Sequence, residues 1–525
     1  MDSIPFEIFE HFTSYLTFSE KLQAMLVCHE WRVKVSASLY SELVLDGNEN
    51  FKTFEGILME NKDYAKQLKS LRLLNPAVRP SHILTIPKHF PELQELEWIQ
   101  TGMDIDTYIP NEEDGECWKN ITSFLELNAV CLSVEILEKS GFTNLTKLNI
   151  NFCSVYSHCQ LLIAQLPKAP GLENLVIEST EMSLFDLENL HLNAPKLKAL
   201  RLSLVSPKHL EAEEAMPVIK TVADGLTSWE MVNMQVPEDT ELWGAWMGFI
   251  ASTYKDLKNL TIQAERVSSL VESHQAKLLE IAAGCPLLEF YSVNLFPITP
   301  PLLELMDATG IRLKKVELHD LVEYQVSNLM FSRQTESLEA LVLNIDSGSS
   351  FEYLEPASNI KHLEITAKQR DASLLALDDL LENSSHLETI KVSNWIIQLG
   401  PQGSSFQRGL KRLDLENVIL SNANGNVMSF VAAACPDLLK LTIQDASADD
   451  DENLILEFPH HHFACIELDT EEFDCYKVVK QGQPTIYEIQ GDYLCETSIS
   501  GDQPYVLVAV EGCSSLKIGK RYIFN

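Results

Sequence analysis

Basic residues are scarce in this chain: 40 Lys and Arg stand against 76 Asp and Glu in 525 residues, a formal net charge of −36. An excess of that sign repels phosphate backbones and anionic lipid surfaces, so neither nucleic acid nor membrane is expected as a partner. Long apolar runs are also missing, and none approaches the roughly 18–20 residues that a bilayer-crossing helix needs. The opening MDSIPFEIFEHF has an acidic second residue and no basic stretch, so no secretory signal is expected there. The 11 cysteines lack CxxC spacing, which argues for free buried thiols in a reducing compartment rather than a disulfide framework. The expected setting is intracellular, in the cytoplasm, the nucleus or both.

Catalytic signatures are equally thin. No G-x-S-x-G, P-loop or dinucleotide fingerprint occurs. PHHHF at His460–His462 places three histidines side by side, where adjacent side chains seldom reach one ion, so a surface or helix-end cluster is expected. DASADDDE from Asp445 has carboxylates without the glycine and closing glutamate of a calcium loop. Trp243 and Trp246 sit at helical spacing and read as core. No enzyme, metal or cofactor is expected.

A repeat is what the chain does have. Segments of the form Leu-x-x-Leu-x-Leu recur, as in LKSLRLLN from Leu68, LKALRLSL from Leu197, LEALVLNI from Leu338 and LLKLTIQD from Leu438. Weaker members are TSFLELNA near Leu125, LTSWEMVN near Trp229 and LEFYSVNL near Tyr291. From the marker Leu71 to Leu441, 14 steps cover 370 residues, about 26 per unit. The fourth and sixth positions share one face of a strand and point inward, and a single unit cannot bury that face. Stacking about 15 irregular units makes one core and one long parallel sheet. Amphipathic stretches between strands, such as SSLVESHQAKLLEIAAG, DASLLALDDLLENSS and NLILEFPHHH, read as helices.

The pattern over Lys52–Ala446 resembles the helix-containing leucine-rich repeats. That family usually carries Asn or Cys three residues after the sixth-position apolar residue; Cys153 fits, whereas Thr180, Glu265 and Trp395 do not. A partial asparagine ladder is therefore expected. The C-terminal part alternates in short strand-like runs and reads as degenerate repeats with a cap.

Ahead of the repeats, Ile8, Phe9, Phe12, Tyr15 and Leu16 recur at helical spacing, and VCHEWRVKV leads a further helix. Some forty residues in three short helices are too few for a comfortable core and call for a partner surface. The stretch Ile4–Leu45 resembles an F-box, matching at Ile4, Pro5, Glu7, Ile8, Tyr15, Leu16, Leu22, Val27, Cys28, Trp31, Leu39 and Tyr40. Ile4 departs from the commoner Leu, and Glu20-Lys21 stands where Asp is usual.

The resemblance implies an α/β chain in three parts. A three-helix F-box (1–46) precedes a right-handed leucine-rich-repeat solenoid (47–446), with its parallel sheet concave and helices convex; terminal repeats and a cap (447–525) follow. It also implies a substrate-recognition subunit of a cullin-type (SCF) ubiquitin ligase, with Pro5, Ile8, Leu16, Leu22, Val27, Cys28 and Trp31 on a Skp-type adaptor and through it a cullin. The alternative is an interaction scaffold unconnected with degradation; a weaker one is a hydrolase- or nuclease-inhibitor-like protein using the acidic face alone.

The fifth, seventh and eighth positions of each repeat face away from the core. There, acidic residues outnumber basic ones, with Glu97, Glu126, Glu178, Glu230, Glu317, Asp320, Glu364, Asp414, Glu416 and Asp445 against Arg72, Arg201 and Lys391. With Asn151 among them, this face is expected to take a target protein with a basic segment, or to be simply a solvated face. Leu74, Ile99, Phe152, Leu204 and Leu295 are candidate apolar anchors on it.

Overall fold

The computed structural model describes residues 13, 16, 21, 23–39, 41–47, 65–75, 80–99, 117–127, 131–139, 142–152, 156–208, 223, 225–234, 240–264, 272–319, 322–345, 354, 359–368, 373–384, 386–400, 408–448, 453–470, 473–480, 482–490, 493–497, 504–519 and 521–524. They fall into two compact units, Met1–Cys285 and Pro286–Asn525.

The first unit begins with helix α1 (His29–Leu39). Strands follow at repeat spacing: β1 (Glu42–Asp46), β2 (Ser70–Leu74), β3 (Glu95–Ile99), β4 (Ser123–Leu127), β5 (Lys147–Asn151), β6 (Asn174–Met182), β7 (Ala199–Pro207), β8 (Ser228–Met234) and β9 (Asn259–Ala264). Helices alternate with them: α2 (Pro80–His89), α3 (Leu132–Lys139), α4 (Tyr156–Gln165), α5 (Leu184–Asn193), α6 (Thr240–Thr253) and α7 (Glu272–Gly284).

Each strand pairs in parallel with the next, and the inward column runs Leu71, Leu96, Phe124, Leu148, Leu175, Leu200, Trp229 and Leu260 in unbroken register. These side chains are essentially fully buried. Removing each from water contributes about 1.5–3 kcal/mol, which strand propensity could not supply alone.

The second unit repeats the plan with β10 (Phe290–Val293), α8 (Pro300–Thr309), β11 (Lys315–His319), α9 (Val322–Met330), β12 (Ala340–Ile345) and β13 (His362–Ala367). It continues with β14 (Leu374–Ala376), α10 (Leu377–Glu382), β15 (Thr389–Ser393), β16 (Ile396–Gln398), β17 (Arg412–Glu416), β18 (Ile419–Leu420), α11 (Val427–Ala434), β19 (Lys440–Gln444) and β20 (Ser447–Ala448). Tyr291, Val316, Leu341, Leu363, Ile390, Leu413, Leu441 and Ile466 form its inward column. The short strands β14, β16, β18 and β20 pair in parallel as a second sheet.

Two backbone devices fix the repeat. The carbonyl just before most strands of the long sheet accepts two N–H groups from the next repeat, as Lys69 does from Gln94 and Glu95 and Lys411 from Leu439 and Lys440. At the other strand end, the residue two past the sixth-position apolar residue turns left-handed at Asn75, Ser179, Leu204, Asn233, Asn394, Asn417 and Asp445. Asn and Asp tolerate that conformation better than most residues. The N–H groups of Asn75, Asn394, Asn417 and Asp445 then donate to Ile99, Glu416, Gln444 and Asp469, the last strand residues of the following repeats. Asn417 Nδ2 also donates to Asn394 Oδ1 (2.7 Å), and Asn394 Nδ2 to the Ala367 carbonyl (3.1 Å). The asparagine ladder exists, one position earlier than the family pattern puts it.

Three local expectations fail. NLILEFPHHH is not helical: it lies in the 16-residue strand β21 (Leu454–Asp469). Its side chains alternate, with Leu454, Leu456 and Phe458 buried and Ile455 and Glu457 exposed, a period of two that a helix cannot satisfy. His461 is buried and its Nε2 lies 2.9 Å from the Cys435 carbonyl, while His460 and His462 are exposed. In DASLLALDDLLENSS, Leu374–Ala376 form β14 and only Leu377–Glu382 are helical.

The third failure is a register slip of one residue at β4. There Phe124 and Glu126 point inward, and Leu125 and Leu127 outward.

The chain closes with β22 (Cys475–Lys480), β23 (Gln483–Gln490), β24 (Tyr493–Thr497), β25 (Val506–Ile518) and β26 (Arg521–Phe524). β25 runs parallel to both β21 and β22, whereas β22–β23–β24 form an antiparallel meander. This mixed sheet covers the last repeat.

Candidate interaction faces

Of the seven adaptor candidates, Pro5, Ile8 and Leu22 lie outside the described residues. Between Lys21 and Val27 the chain makes helical turns, with Met25 N–H donating to the Lys21 carbonyl and Val27 N–H to that of Ala24. Cys28 precedes α1, and its Sγ accepts the Trp31 N–H at 3.5 Å, a local cap. Ala24 and Val35 are buried, and Leu16, Met25 and Trp31 pack against them half-covered. Leu26 (79% exposed), Val27 (63%) and Val33 (55%) project into solvent. The structure thus separates the predicted set: Val27 and Cys28 face outward, whereas Leu16 and Trp31 also serve the module's own core. Leu45 belongs to β1, paired in register with Leu73 of β2.

The sheet face opposite the inward column carries most of the other candidates. In the first unit Arg72 pairs with Glu97 and Arg201 with Glu230 (3.4 Å), while Asn151 Nδ2 donates to Glu178 (3.5 Å). Burial raises the Glu178 carboxyl above its usual value, against the pull of Arg201 and Asn151. In the second unit Lys391 bridges Glu364 (3.0 Å) and Glu416 (3.1 Å). Burial draws its pKa down, but the hydrogen bonds to both carboxylates outweigh it and hold Lys391 above the usual lysine value. Arg412 pairs with Asp414 (2.6 Å) and Lys440 with Glu467 (2.9 Å); the bond to Lys440 depresses Glu467.

Glu317 is the hub of a half-buried polar cluster. It accepts from Ser292 Oγ (2.9 Å) and Asn344 Nδ2 (3.0 Å) and lies 3.5 Å from His319.

The third repeat position adds charges of both signs to this face: Lys147, Lys315, Arg412 and Lys440, with Glu42 and Glu95, and Arg412 and Lys440 pair with carboxylates. Asp445 sits in a left-handed turn, not on a strand. Asp320 lies outside the described residues. Acidic residues are instead dense in sequence at 104–116, 211–214 and 449–452, also outside the described residues.

Glu126 is a correction of a different kind. It is fully buried on the inward side, where its carboxylate accepts the N–H groups of Leu132 (2.6 Å) and Ser133 (2.8 Å) at the start of α3. Burial raises its pKa despite those bonds. It is a helix cap and offers nothing to a partner.

Phe152 and Leu295, taken as anchors, are buried as well, whereas Leu204 is 46% exposed and Leu74 and Ile99 are half-buried on the outer face. Sequence reasoning missed Leu125 and Leu127 on that face. The signal was available in Ile121-x-x-Phe124, the true first and fourth positions of this repeat.

Among the described residues no cluster of three or more His, Cys, Asp or Glu could hold a metal, and no helix is long and apolar enough to cross a membrane.

No protein-family model matches the chain, and no curated protein does. Solved structures that overlap it include the TLR13–ssRNA13 complex (13% identity, TM-score 0.36), over 77% of this chain and 61% of that one. The Toll–Spatzle complex of Drosophila overlaps at 12% identity and TM-score 0.32, over 84% of this chain and 58% of that one. The chain spans about three fifths of the length of these proteins.

Proposed function

We propose that this chain is a non-catalytic substrate-recognition subunit of a cullin-type ubiquitin ligase, acting inside the cell. Residues 1–46 hold a Skp-type adaptor and through it a cullin, and the repeats hold a target protein. Catalysis is by proximity: the receptor raises the effective concentration of target lysines near ubiquitin carried by another subunit.

One observation carries the reading. The ordered F-box series runs directly into the first repeat strand, and its described part leaves Leu26, Val27 and Val33 in solvent beside the packed Ala24 and Val35. Exposed apolar side chains on a short helical segment gain stability when a partner buries them.

A second reading, a scaffold with no link to degradation, is favoured by Leu16 and Trp31, whose apolar surface is partly committed inside the module. Co-purification tests both. The full chain expressed in cells is expected to retain a Skp adaptor, and Val27→Glu with Leu26→Glu, exposed positions that leave the fold intact, to lose it. Under proteasome inhibition the double variant should still hold its targets, with less ubiquitin on them. Equal adaptor retention by both chains sinks the ligase reading; retention lost with target ubiquitination unchanged favours the scaffold.

A further inference from the structure

The fourth strand inverts the rule that the rest of the array obeys. Where its neighbours bury an apolar residue, it buries Glu126; where they place Glu97 or Asn149 on the outer face, it places Leu125, and Leu127 beyond it. The inversion desolvates a carboxylate and leaves two leucines only half-buried, both unfavourable for folding alone. On the outer face, Leu127 falls in one row with Ile99 and Leu74, paired strand by strand, and Leu125 lies two residues from Leu127 on the same side. Val44 of β1, 53% exposed, shares this face but stands beside Arg72, and the β1 residue beside Leu74 is Asp46. With strands about 4.8 Å apart, the three-strand row is about 10 Å long, the footprint of two or three apolar side chains.

Among the described residues the rim carries more acid than base: Asp46 beside Leu74, with Glu42 and Glu95 exposed at the strand starts, Lys69 between those two, and Arg72 tied to Glu97. Lys147 stands on the far side, on β5.

We propose that the outer sheet face over β1–β4 is a docking site for a segment of a partner protein with two or three aliphatic or aromatic side chains flanked by Lys or Arg. The apolar row supplies the anchor and the acidic rim selects the flanks. This rests on the reading that the repeats bind a protein target.

The test is selection of a displayed random peptide library, about 16 residues long, on the immobilised full chain, repeated on three variants. Peptides enriched on the natural chain are expected to carry apolar centres with basic flanks. Their binding should weaken at least tenfold on Leu125→Ser with Leu127→Ser. Because those half-buried positions could disturb the strand, Glu42→Lys with Glu95→Lys, both exposed, is the second variant, and it should shift the enriched flanks away from Lys and Arg. The third, Lys391→Ala, separates the two ideas. Binders lost on Lys391→Ala but indifferent to the patch variants would overturn the docking site and leave target binding by the repeats standing. Enrichment of acidic or wholly polar peptides would also overturn it, and no enrichment on any chain would remove both.

Discussion

The imidazole of His191 and the hydroxyl of Tyr254 meet at 2.7 Å inside the first unit, both side chains buried. Burial pushes the His191 pKa down from 6.5 to about 4 and the Tyr254 hydroxyl well up, so both stay neutral near pH 7. The unfolded chain takes up a proton at His191 near pH 6.5, and the folded chain does so only near 4. The stability this pair allows is fully present above pH 6.5 and falls away as pH drops toward 4, a loss on the order of 3 kcal/mol. In His191→Gln the amide keeps a hydrogen bond to Tyr254, and the slope of unfolding free energy between pH 6.5 and 4 should flatten. An unchanged slope would show that His191 does not titrate in this way.

Glu126 predicts the opposite slope. Its carboxyl is raised, so between the ordinary carboxylate value and its own the folded chain holds a proton that the unfolded chain has released. Stability falls as pH rises through that window, and the deficit persists above it. Glu126→Gln removes the charge and leaves an acceptor for one of the two N–H groups of α3. Urea midpoints from pH 4 to 8 should fall less with rising pH in the variant than in the natural chain.

Two glycines of the first unit should respond in opposite directions to alanine. A Cβ on Gly284, at the end of α7, would overlap the backbone of Ala251 in α6, so Gly284→Ala should cost about 1–3 kcal/mol. A Cβ on Gly244 meets only Lys277 Cε at 3.9 Å, an ordinary contact in the middle of α6. Gly244→Ala should therefore stabilise the chain by about 0.5–1 kcal/mol. Thermal melts of the two variants side by side test the pair, and the same sign for both would refute it.

Asn417 holds a left-handed turn at φ 51° and bonds Asn394 through its side chain. Asn417→Ala loses both the tolerance for that conformation and the bond, about 1–3 kcal/mol together; Asn417→Gly loses only the bond. Native-state hydrogen exchange at the amides of Asn394 and Asn417 should accelerate in the order alanine, glycine, natural chain.

The array was legible because its signal is redundant. Leu71, Leu148, Leu200, Leu341 and Leu413 all carry the same spacing, and a period repeated that often survives any one irregular member. Single repeats lack that protection. In ITSFLELNA the run Leu125-Glu126-Leu127 fits a strand in either register, and the choice depends on Ile121 and Phe124 lying in column with Leu93 and Leu96. Hydrophobicity favoured the leucines inside; the N–H groups of Leu132 and Ser133, brought close only by the fold, favoured the glutamate. The charge of the outer face was misjudged for a related reason. Arg412 and Lys440 sit two residues before the expected set, yet in the folded sheet they pair with Asp414 and Glu467.

The turn hydrogen bonds have a direction. Asn394 donates forward to Glu416, Asn417 to Gln444, and Asp445 to Asp469, each turn closed by the repeat that follows it in the chain. As the polypeptide leaves the ribosome, the newest of these turns therefore waits with one amide uncapped until the next strand has been made. For these turns synthesis runs one repeat ahead of closure, and the series ends where Asp445 meets β21.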